Sequence, residues 1–174
     1  LLANKDEYKY NSIIAPGLVY SSTSTGHNQT INTLINNSQT RGDNLAVIDS
    51  AFYNTEPGSV VANSTALNSS YAATYWPWLQ TVDPDTGQLV WVPASTMIPS
   101  IFAFNDSVSE PWFALAGINR GGLGVVRQAE RKLTQSNRDT LYVNKVNPLA
   151  TFPGQGVTVF GQKTLQTQAS ALDR

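Results

Sequence analysis

The sequence predicts an α/β fold, with a mixed α+β arrangement as the alternative, in which helices flank a central mixed β-sheet and an aromatic β-hairpin is attached. Three observations lead to this expectation. A strand, a helix and an apolar strand follow one another between residues 8 and 49, residues 70–92 have a hairpin pattern, and a β-branched strand comes late, at residues 157–160. Alternating strands and helices of this kind fold around a mostly parallel sheet.

The first unit has the pattern of a βαβ motif. Residues 8–15 alternate loosely between polar and apolar side chains up to Pro16-Gly17, a turn signal, and predict a strand that ends there. Residues 31–39 carry apolar side chains three and four positions apart and predict a helix, which Arg41-Gly42 closes. Residues 45–49 form a short continuous apolar run, which is typical of a strand buried on both faces.

The middle of the chain combines a turn-rich segment with an aromatic hairpin. Residues 55–70 leave two interpretations open, a flexible loop that faces a partner or an ordinary surface connection. Residues 70–82 are extended, and Pro77 predicts an edge strand or a bulge there, because proline cannot donate to a sheet ladder. Asp83–Gly87 is a strong turn signal, so residues 89–92 are the returning strand of a hairpin.

Two further helices are expected after the hairpin. Ser95 or Thr96 is a suitable cap for the first, which presents an apolar face and ends at Asn105-Asp106. Ser136–Asp139 resembles a capping box and predicts a short helix over residues 137–146. The proline that follows terminates this helix, since proline biases the preceding residue away from helical geometry.

A structural turn is expected before the last strand. Its residues are Pro153, Gly154 and Gly156; proline fixes φ, and the glycines are free to adopt positive φ. If the glycines do adopt positive φ, each bulky replacement is expected to destabilise the fold by about 1 kcal/mol or more through backbone strain. Nothing in this turn is an acid, a thiol or an imidazole, so we assign it an architectural role.

Composition excludes several functional classes. Charged residues make up 13% of the 174-residue chain, about half the usual share for a globular domain, while 41% apolar residues suffice for a core. The net charge is −1, which gives no general attraction for nucleic acid, and no apolar run is long enough for a membrane span. There are no cysteines, so disulfides and thiolate sites are excluded.

The charges are divided unevenly along the chain. The first 119 residues carry three basic and nine acidic side chains, and the remaining residues carry eight basic and three acidic ones. This split allows two interpretations, neutralisation within one fold or head-to-tail association of copies.

No catalytic constellation emerges from the candidate residues. The glycine-rich stretch Gly121–Gly124 lacks the lysine and spacing of a phosphate loop, and His27 is the only histidine, placed in a polar connector. Asp83 and Asp85 lack the remainder of a calcium loop. Asp49 ends an apolar strand, a common place for a catalytic acid, and its partners in an enzyme would be Asp106 or Glu110; this class has the weakest support. We expect no metal and no cofactor.

The clustered aromatic residues support an alternative function. Tryptophans and tyrosines concentrate in residues 71–91, where they form either the packing face of the hairpin or an exposed platform for sugar rings. Five Asn-x-Ser/Thr sequences match the glycosylation pattern. The alternative is therefore a secreted or surface carbohydrate-binding module that uses the aromatic hairpin.

Several stretches of the chain share a series of motifs in one order. They contain an apolar strand ending in Asp, an aromatic segment with Pro-Trp, a helix entry, a second Pro-Trp segment followed by Asn-Arg-Gly, and an Asn-Pro and Phe-Pro-Gly-x-Gly run. The stretches are Val47–Asp49, Tyr71–Trp78, Val92–Ser95, Pro111–Gly117 with Asn119–Gly121, and Val146–Leu149 with Phe152–Gly156 and Phe160–Leu165. Together they resemble the contractile tail sheath protein of long-tailed contractile bacteriophages (myovirus tail sheath). Ala94 and Leu115 stand where that family usually has proline.

The resemblance implies a structural polymer subunit, not an enzyme. Such subunits form stacked hexameric rings around a tail tube, and contraction drives the tube through the host envelope for genome ejection. The implied partners are other copies of the chain, the tail tube protein, the baseplate and the tail terminator, with no direct nucleic-acid contact and no membrane insertion. The implied location is the virion tail sheath, assembled in the host cytoplasm. Residues 1–174 would be one sheath core domain, a fragment that lacks the N-terminal part and the C-terminal sheath region.

The charge split and the resemblance together give an interface hypothesis. We expect the cationic side chains of the last third to meet acidic surface on a neighbouring subunit. The residues concerned are Arg127, Arg131, Lys132 and Arg138.

Overall fold

The computed structural model of the chain describes residues 2–23, 27–110, 112–168 and 170, so Pro111 and residues 171–174 of the sequence predictions lie outside it. The described residues form eight strands and four helices. The strands are β1 Ser12–Val19, β2 Leu45–Asp49, β3 Ala72–Trp76, β4 Leu79–Val82, β5 Leu89–Val92, β6 Val126–Ala129, β7 Val146–Phe152 and β8 Gly156–Val159. The helices are α1 Asn28–Arg41, α2 Pro57–Thr65, α3 Ile98–Val108 and α4 Gln135–Val143.

A five-stranded sheet in the order β1-β2-β3-β7-β8 forms the centre of the fold. Its first four strands are parallel, and β8 returns antiparallel to β7. A second, antiparallel sheet has the order β5-β4-β6. The predicted α/β class with a mixed central sheet is confirmed, and β1, α1 and β2 form the predicted βαβ unit.

Both faces of the central sheet are covered. Along β2, Val47 belongs to one core, whereas Ala46 and Ile48 belong to the core on the opposite face. This division arises because successive side chains of a strand point to opposite faces. One face carries α1, α2 and α4, and the other carries α3 and the second sheet; the helix residues buried in these cores are Ile31, Ile35, Val60, Leu141, Ile98 and Ile101.

Strand β1 continues beyond its predicted end. It includes Pro16-Gly17 rather than stopping before them, and its register to β2 shifts between Ile14 and Val19. Pro16-Gly17 therefore forms an irregularity within the strand and does not end it, and Gly17 has a φ of 86° there. Strand β1 is at the edge of the sheet and its register is irregular here, and proline is tolerated in both situations.

Residues 55–70 contain a helix, so both loop interpretations were wrong. Pro57 stands in the first turn of α2, where a helix does not need the missing N–H. Val60 is fully buried in a core with Trp76 and Leu141. This burial stabilises a helix whose Gly, Ser and Asn residues have low helix propensity.

Pro77 divides the segment 70–82 into strands of two different sheets. Strand β3 lies in the middle of the central sheet, and β4 begins two residues after Pro77 in the second sheet. The expectation of an edge strand or a bulge at Pro77 was therefore wrong. The β4–β5 hairpin is confirmed; its turn is closed by the Gly87 N–H, which donates to the Asp83 carbonyl at 2.8 Å.

Helices α3 and α4 differ from prediction at their ends. Neither Ser95 nor Thr96 caps α3, because both lie in a 3₁₀ helix that precedes it, and α3 extends to Val108. The cap of α4 is Thr134, whose side chain accepts the Asn137 N–H at 3.2 Å, so the predicted capping box was misplaced. Helix α4 ends at Val143, before the predicted position, and the chain turns directly into β7.

The turn between β7 and β8 has the geometry that its sequence requires. Gly154 and Gly156 have φ angles of 76° and 73°, in the left-handed region that other residues disfavour. The outer edge of β8 is covered by the preceding chain, since the Val159 N–H donates to the Gly121 carbonyl at 2.8 Å. A covered edge is protected from pairing with other strands.

Candidate functional site

Asp49 is a buried carboxylate that joins two parts of the fold. It stands at the end of β2 with 3% of its surface exposed. The Ser95 N–H donates to one carboxylate oxygen at 3.2 Å and the Ser95 hydroxyl to the other at 2.6 Å. Burial raises the pKa of Asp49 to about 6, although hydrogen bonds from Ser95 and from the Gly17 backbone oppose the shift. These bonds hold β1, β2 and the 3₁₀ helix together.

The structure does not join the carboxylates that the enzyme hypothesis requires. Asp49 bonds to Ser95 and Gly17, not to Asp106 or Glu110. Among the described residues there is also no group of three acidic, histidine or cysteine side chains arranged to hold a metal ion. No described helix is both long and apolar enough to cross a membrane.

The remaining sequence candidates have structural contacts. The His27 ring accepts the Val19 N–H at 3.2 Å through Nδ1, which ties the start of α1 to β1. A Cβ on Gly121 would lie 2.8 Å from the Val159 carbonyl oxygen, so glycine permits close packing on β8. Asp83 accepts the Asp85 N–H and the Thr86 hydroxyl within the β4–β5 turn, and these bonds lower the pKa of Asp83.

The hairpin aromatic residues pack against a neighbouring loop. The Tyr53 ring centroid lies 5.2 Å from that of Trp91 and 6.0 Å from that of Trp78. The Trp78 indole donates to the Ala51 carbonyl at 2.8 Å, and Trp76 is buried in the core. The packing interpretation of these aromatics therefore accounts for their contacts.

The four cationic side chains of the interface hypothesis occupy different environments. Arg131 is paired within the chain, donating to the two Glu56 carboxylate oxygens at 2.7 and 3.1 Å. Arg138 lies over two rings, with its guanidinium carbon 5.4 Å from the Phe152 centroid and 5.6 Å from the Phe160 centroid. Arg127 and Lys132 are exposed. Of the four, Arg131 therefore belongs to an ion pair within the chain, whereas Arg127, Lys132 and Arg138 have no ion pair among the described residues.

Two of the open depressions on the described surface lie near residues singled out above. A basic pocket of about 390 Å³ is lined by Gln135, Arg138, Asp139, Tyr142, Pro148 and Phe160. An apolar groove of about 560 Å³ lies on the α3 side of the sheet and includes Tyr75, Phe102 and Trp112, the last of these 80% exposed. Burial raises the pKa of the Tyr75 hydroxyl, which lies against this groove. Neither depression presents a catalytic group arrangement.

Comparison with known families decides the relationship of this chain. The family described as the phage tail sheath protein central domain matches residues 1–165. The chain belongs to the phage tail sheath family. The resemblance found in the sequence is thereby confirmed.

Curated sheath relatives support the assignment. The tail sheath protein of Vibrio phage KVP40 is 35% identical over 117 residues, which are 67% of this chain and 17% of that protein. The tail sheath protein of Enterobacteria phage T4 is 32% identical over 122 residues, 70% of this chain and 18% of that protein. The chain therefore spans less than a fifth of the length of these relatives.

Solved sheath structures share the fold. The helical sheath of the anti-feeding prophage in its contracted state has a TM-score of 0.68 at 20% identity, over 95% of this chain and 42% of that one. The sheath of the extracellular contractile injection system PVC, also contracted, has a TM-score of 0.68 at 21% identity, over 93% and 42%.

The stretches that carry the sheath resemblance have structural roles here. Arg120 stacks on the Phe113 ring at 3.7 Å and donates to the Asn105 side chain at 3.3 Å, which fixes the loop after α3. A Cβ on Gly161 would lie 2.9 Å from the Pro148 side chain, so this glycine permits the chain to cross β7 closely. Sequence reasoning missed the ring contacts of Arg138, since Phe152 and Phe160 are brought to it only by the β7–β8 hairpin.

Proposed function

We propose that this chain is a structural subunit of a phage contractile tail sheath. In this role copies polymerise as stacked hexameric rings around a tail tube, and contraction drives the tube through the host cell envelope for genome ejection. The observation that carries the proposal is the family match over residues 1–165, joined to a fold shared with contracted sheaths.

The surface suits a mechanical role in place of a catalytic one. The charged content of 13% is low, and short polar side chains take its place. Such a surface is easily desolvated and can exchange one set of contacts for another. A core closed on both faces of the central sheet lets the domain move as a nearly rigid body. The free energy of contraction would then reside in contacts between copies, which differ in the extended and contracted packings.

The proposal includes the place of this chain in a longer assembly. Residues 1–174 are one core domain of a longer sheath protein, consistent with relatives of which the chain spans less than a fifth. Its partners are other copies, the tail tube protein, the baseplate and the tail terminator. It acts in the virion tail and is assembled in the host cytoplasm.

The cationic surface supplies part of the contact between copies. Arg127, Lys132 and Arg138 are the members of the interface hypothesis that carry no ion pair within the described chain. Arg131 remains in the proposal as a residue that would exchange Glu56 for an acidic partner on another copy. Long-range attraction between basic and acidic surfaces favours assembly at low salt and weakens as salt rises.

Electron microscopy of the full-length protein that contains this chain tests the proposal. We expect hollow tubes whose abundance falls with ionic strength, and short, wide tubes after contraction. Reversing the charges of the four cationic residues should reduce tube formation and its dependence on salt. Monodisperse particles at every protein and salt concentration would contradict the proposed function.

A further inference from the structure

The Arg138 side chain is fixed in position while its hydrogen-bonding groups are unused. Its guanidinium lies over the rings of Phe152 and Phe160. Its guanidinium has no hydrogen-bond or ion-pair partner among the described residues. A guanidinium oriented by aromatic rings loses little freedom when it binds, and its planar N–H edge matches a carboxylate.

The basic pocket in front of Arg138 has room for an acidic side chain. Its volume of about 390 Å³ is near the lower end of the range for small-ligand sites, about 300–1,000 Å³. Tyr142, which lines it, has the Lys163 ammonium 4.3 Å from its ring centroid, so a second cation lies beside the pocket. Asp139 on the rim opposes anion binding. The pocket lining itself carries one cation, Arg138, and one carboxylate, Asp139, so the excess positive charge comes from Lys163 beside it.

The exposed β4–β5 turn of the same chain carries an acidic side chain that could fill this pocket. Asp85 stands at the exposed tip of the β4–β5 turn, and its carboxylate has no partner among the described residues. The turn is rigid, because the Asp83 N–H donates to the Gln88 carbonyl at 2.8 Å and the Thr86 hydroxyl donates to Asp83 at 2.6 Å. A preformed turn is ordered at little entropic cost on docking.

From these two features we infer that the basic pocket of one copy receives the Asp85 turn of a second copy, with Arg138 binding the Asp85 carboxylate. The inference rests on the proposed function, since it names one contact between sheath subunits. A contact between two different surfaces is head-to-tail, and repetition of such a contact builds rings or open helical stacks. A contact of one surface with its own copy would instead stop at a dimer.

A charge-swap cycle in the full-length protein tests the pairing, with the critical concentration for tube formation as the measurement. Arg138→Glu and Asp85→Arg should each raise this concentration at least tenfold. The double variant, in which the charges are exchanged, should return to within about threefold of wild type, because the ion pair is rebuilt in reverse. Arg138→Lys, which keeps the charge but loses the planar fork, should raise it by an intermediate factor.

The controls separate this pair from general charge effects and from misfolding. Asp85→Arg combined with Arg127→Glu carries the same charges as the swap but changes a different cation, so it should show no recovery. Circular dichroism melts verify that each variant is folded. If Arg138→Glu does not fold, Arg138→Lys still tests the role of Arg138. Recovery in the control pair, or none in the Arg138 swap, would overturn the inference. If the wild-type protein forms no tubes at all, the proposed function fails instead.

Discussion

Replacing Asp49 with asparagine should remove a pH dependence of stability that is built into the fold. The folded chain holds this carboxyl at a pKa of about 6, compared with an ordinary value of 3.8. Burial is the main cause, since it disfavours the charged form. Asparagine has a similar shape and still accepts one bond from Ser95, but it does not titrate.

The sign of this pH dependence of stability follows from the number of protons bound by the folded and the unfolded state. Between about pH 4 and pH 6 the folded state keeps a proton on Asp49 that the unfolded state has lost, so the contribution of Asp49 to the free energy of unfolding falls as pH rises. Each pK unit corresponds to about 1.4 kcal/mol, so the whole shift corresponds to about 3 kcal/mol. Above the folded pKa this contribution levels off, because both states are then ionised.

The assay is urea unfolding of wild type and Asp49→Asn, followed by tryptophan fluorescence at several pH values from 4 to 7. The free energy of unfolding of wild type minus that of the variant should decrease by about 2.4 kcal/mol across this range, somewhat less than the whole shift because the unfolded carboxyl is already more than half ionised at pH 4. Taking the difference cancels the opposite pH dependence of Asp43 and Asp83, whose pKa values hydrogen bonds lower.

A difference that stays constant within about 1 kcal/mol from pH 4 to 7 would refute the reasoning. Ser95→Ala supplies a second check on the geometry. The hydroxyl of Ser95 donates to Asp49 at 2.6 Å and lowers its pKa. Its removal should therefore raise the pKa of Asp49 further and extend the pH-dependent range upward.

Two other substitutions test local geometry, each with a matched control. Gly154→Ala should lower the free energy of unfolding by roughly 1–2 kcal/mol, since Gly154 has a φ of 76°, whereas Gly58→Ala in the first turn of α2 should not destabilise the chain. Equal urea midpoints for these two variants would contradict the assigned turn. Thr134→Ala should destabilise by about 1 kcal/mol by removing the cap of α4, and Ser136→Ala, at the predicted but unused cap, should change stability by less than about 0.5 kcal/mol. The reverse order in thermal melts would show that the cap is misassigned.

Local patterns predicted those elements whose sequence signal and tertiary role agree. The apolar run 45–49 is buried on both faces, Gly42 ends α1 in a left-handed conformation with φ of 69°, and the Asp83–Gly87 turn joins β4 to β5. The family resemblance was also available from the sequence, because it depends on the order of motifs and not on contacts.

Contacts between distant segments overrode the local pattern elsewhere. Helix α2 forms in a segment rich in turn residues because Val60 is buried against Trp76 and Leu141. Pro148 lies inside β7 although proline usually ends regular structure. Asp49 has Ser95 as its partner because β2 ends beside the 3₁₀ helix, 46 positions along the chain.

The sequence by itself determined the class of the fold, the central βαβ unit, the aromatic hairpin and the sheath relationship. Only the tertiary structure decided which cationic side chains form ion pairs within the chain and which remain on the surface without one. Arg131 meets Glu56 across 75 positions, whereas the Arg138 guanidinium lies over the rings of Phe152 and Phe160 and has no ion pair among the described residues. The physical reason is that periodicity and turn chemistry act over a few residues, while pairing of a charge depends on which distant segments the folded core brings beside it.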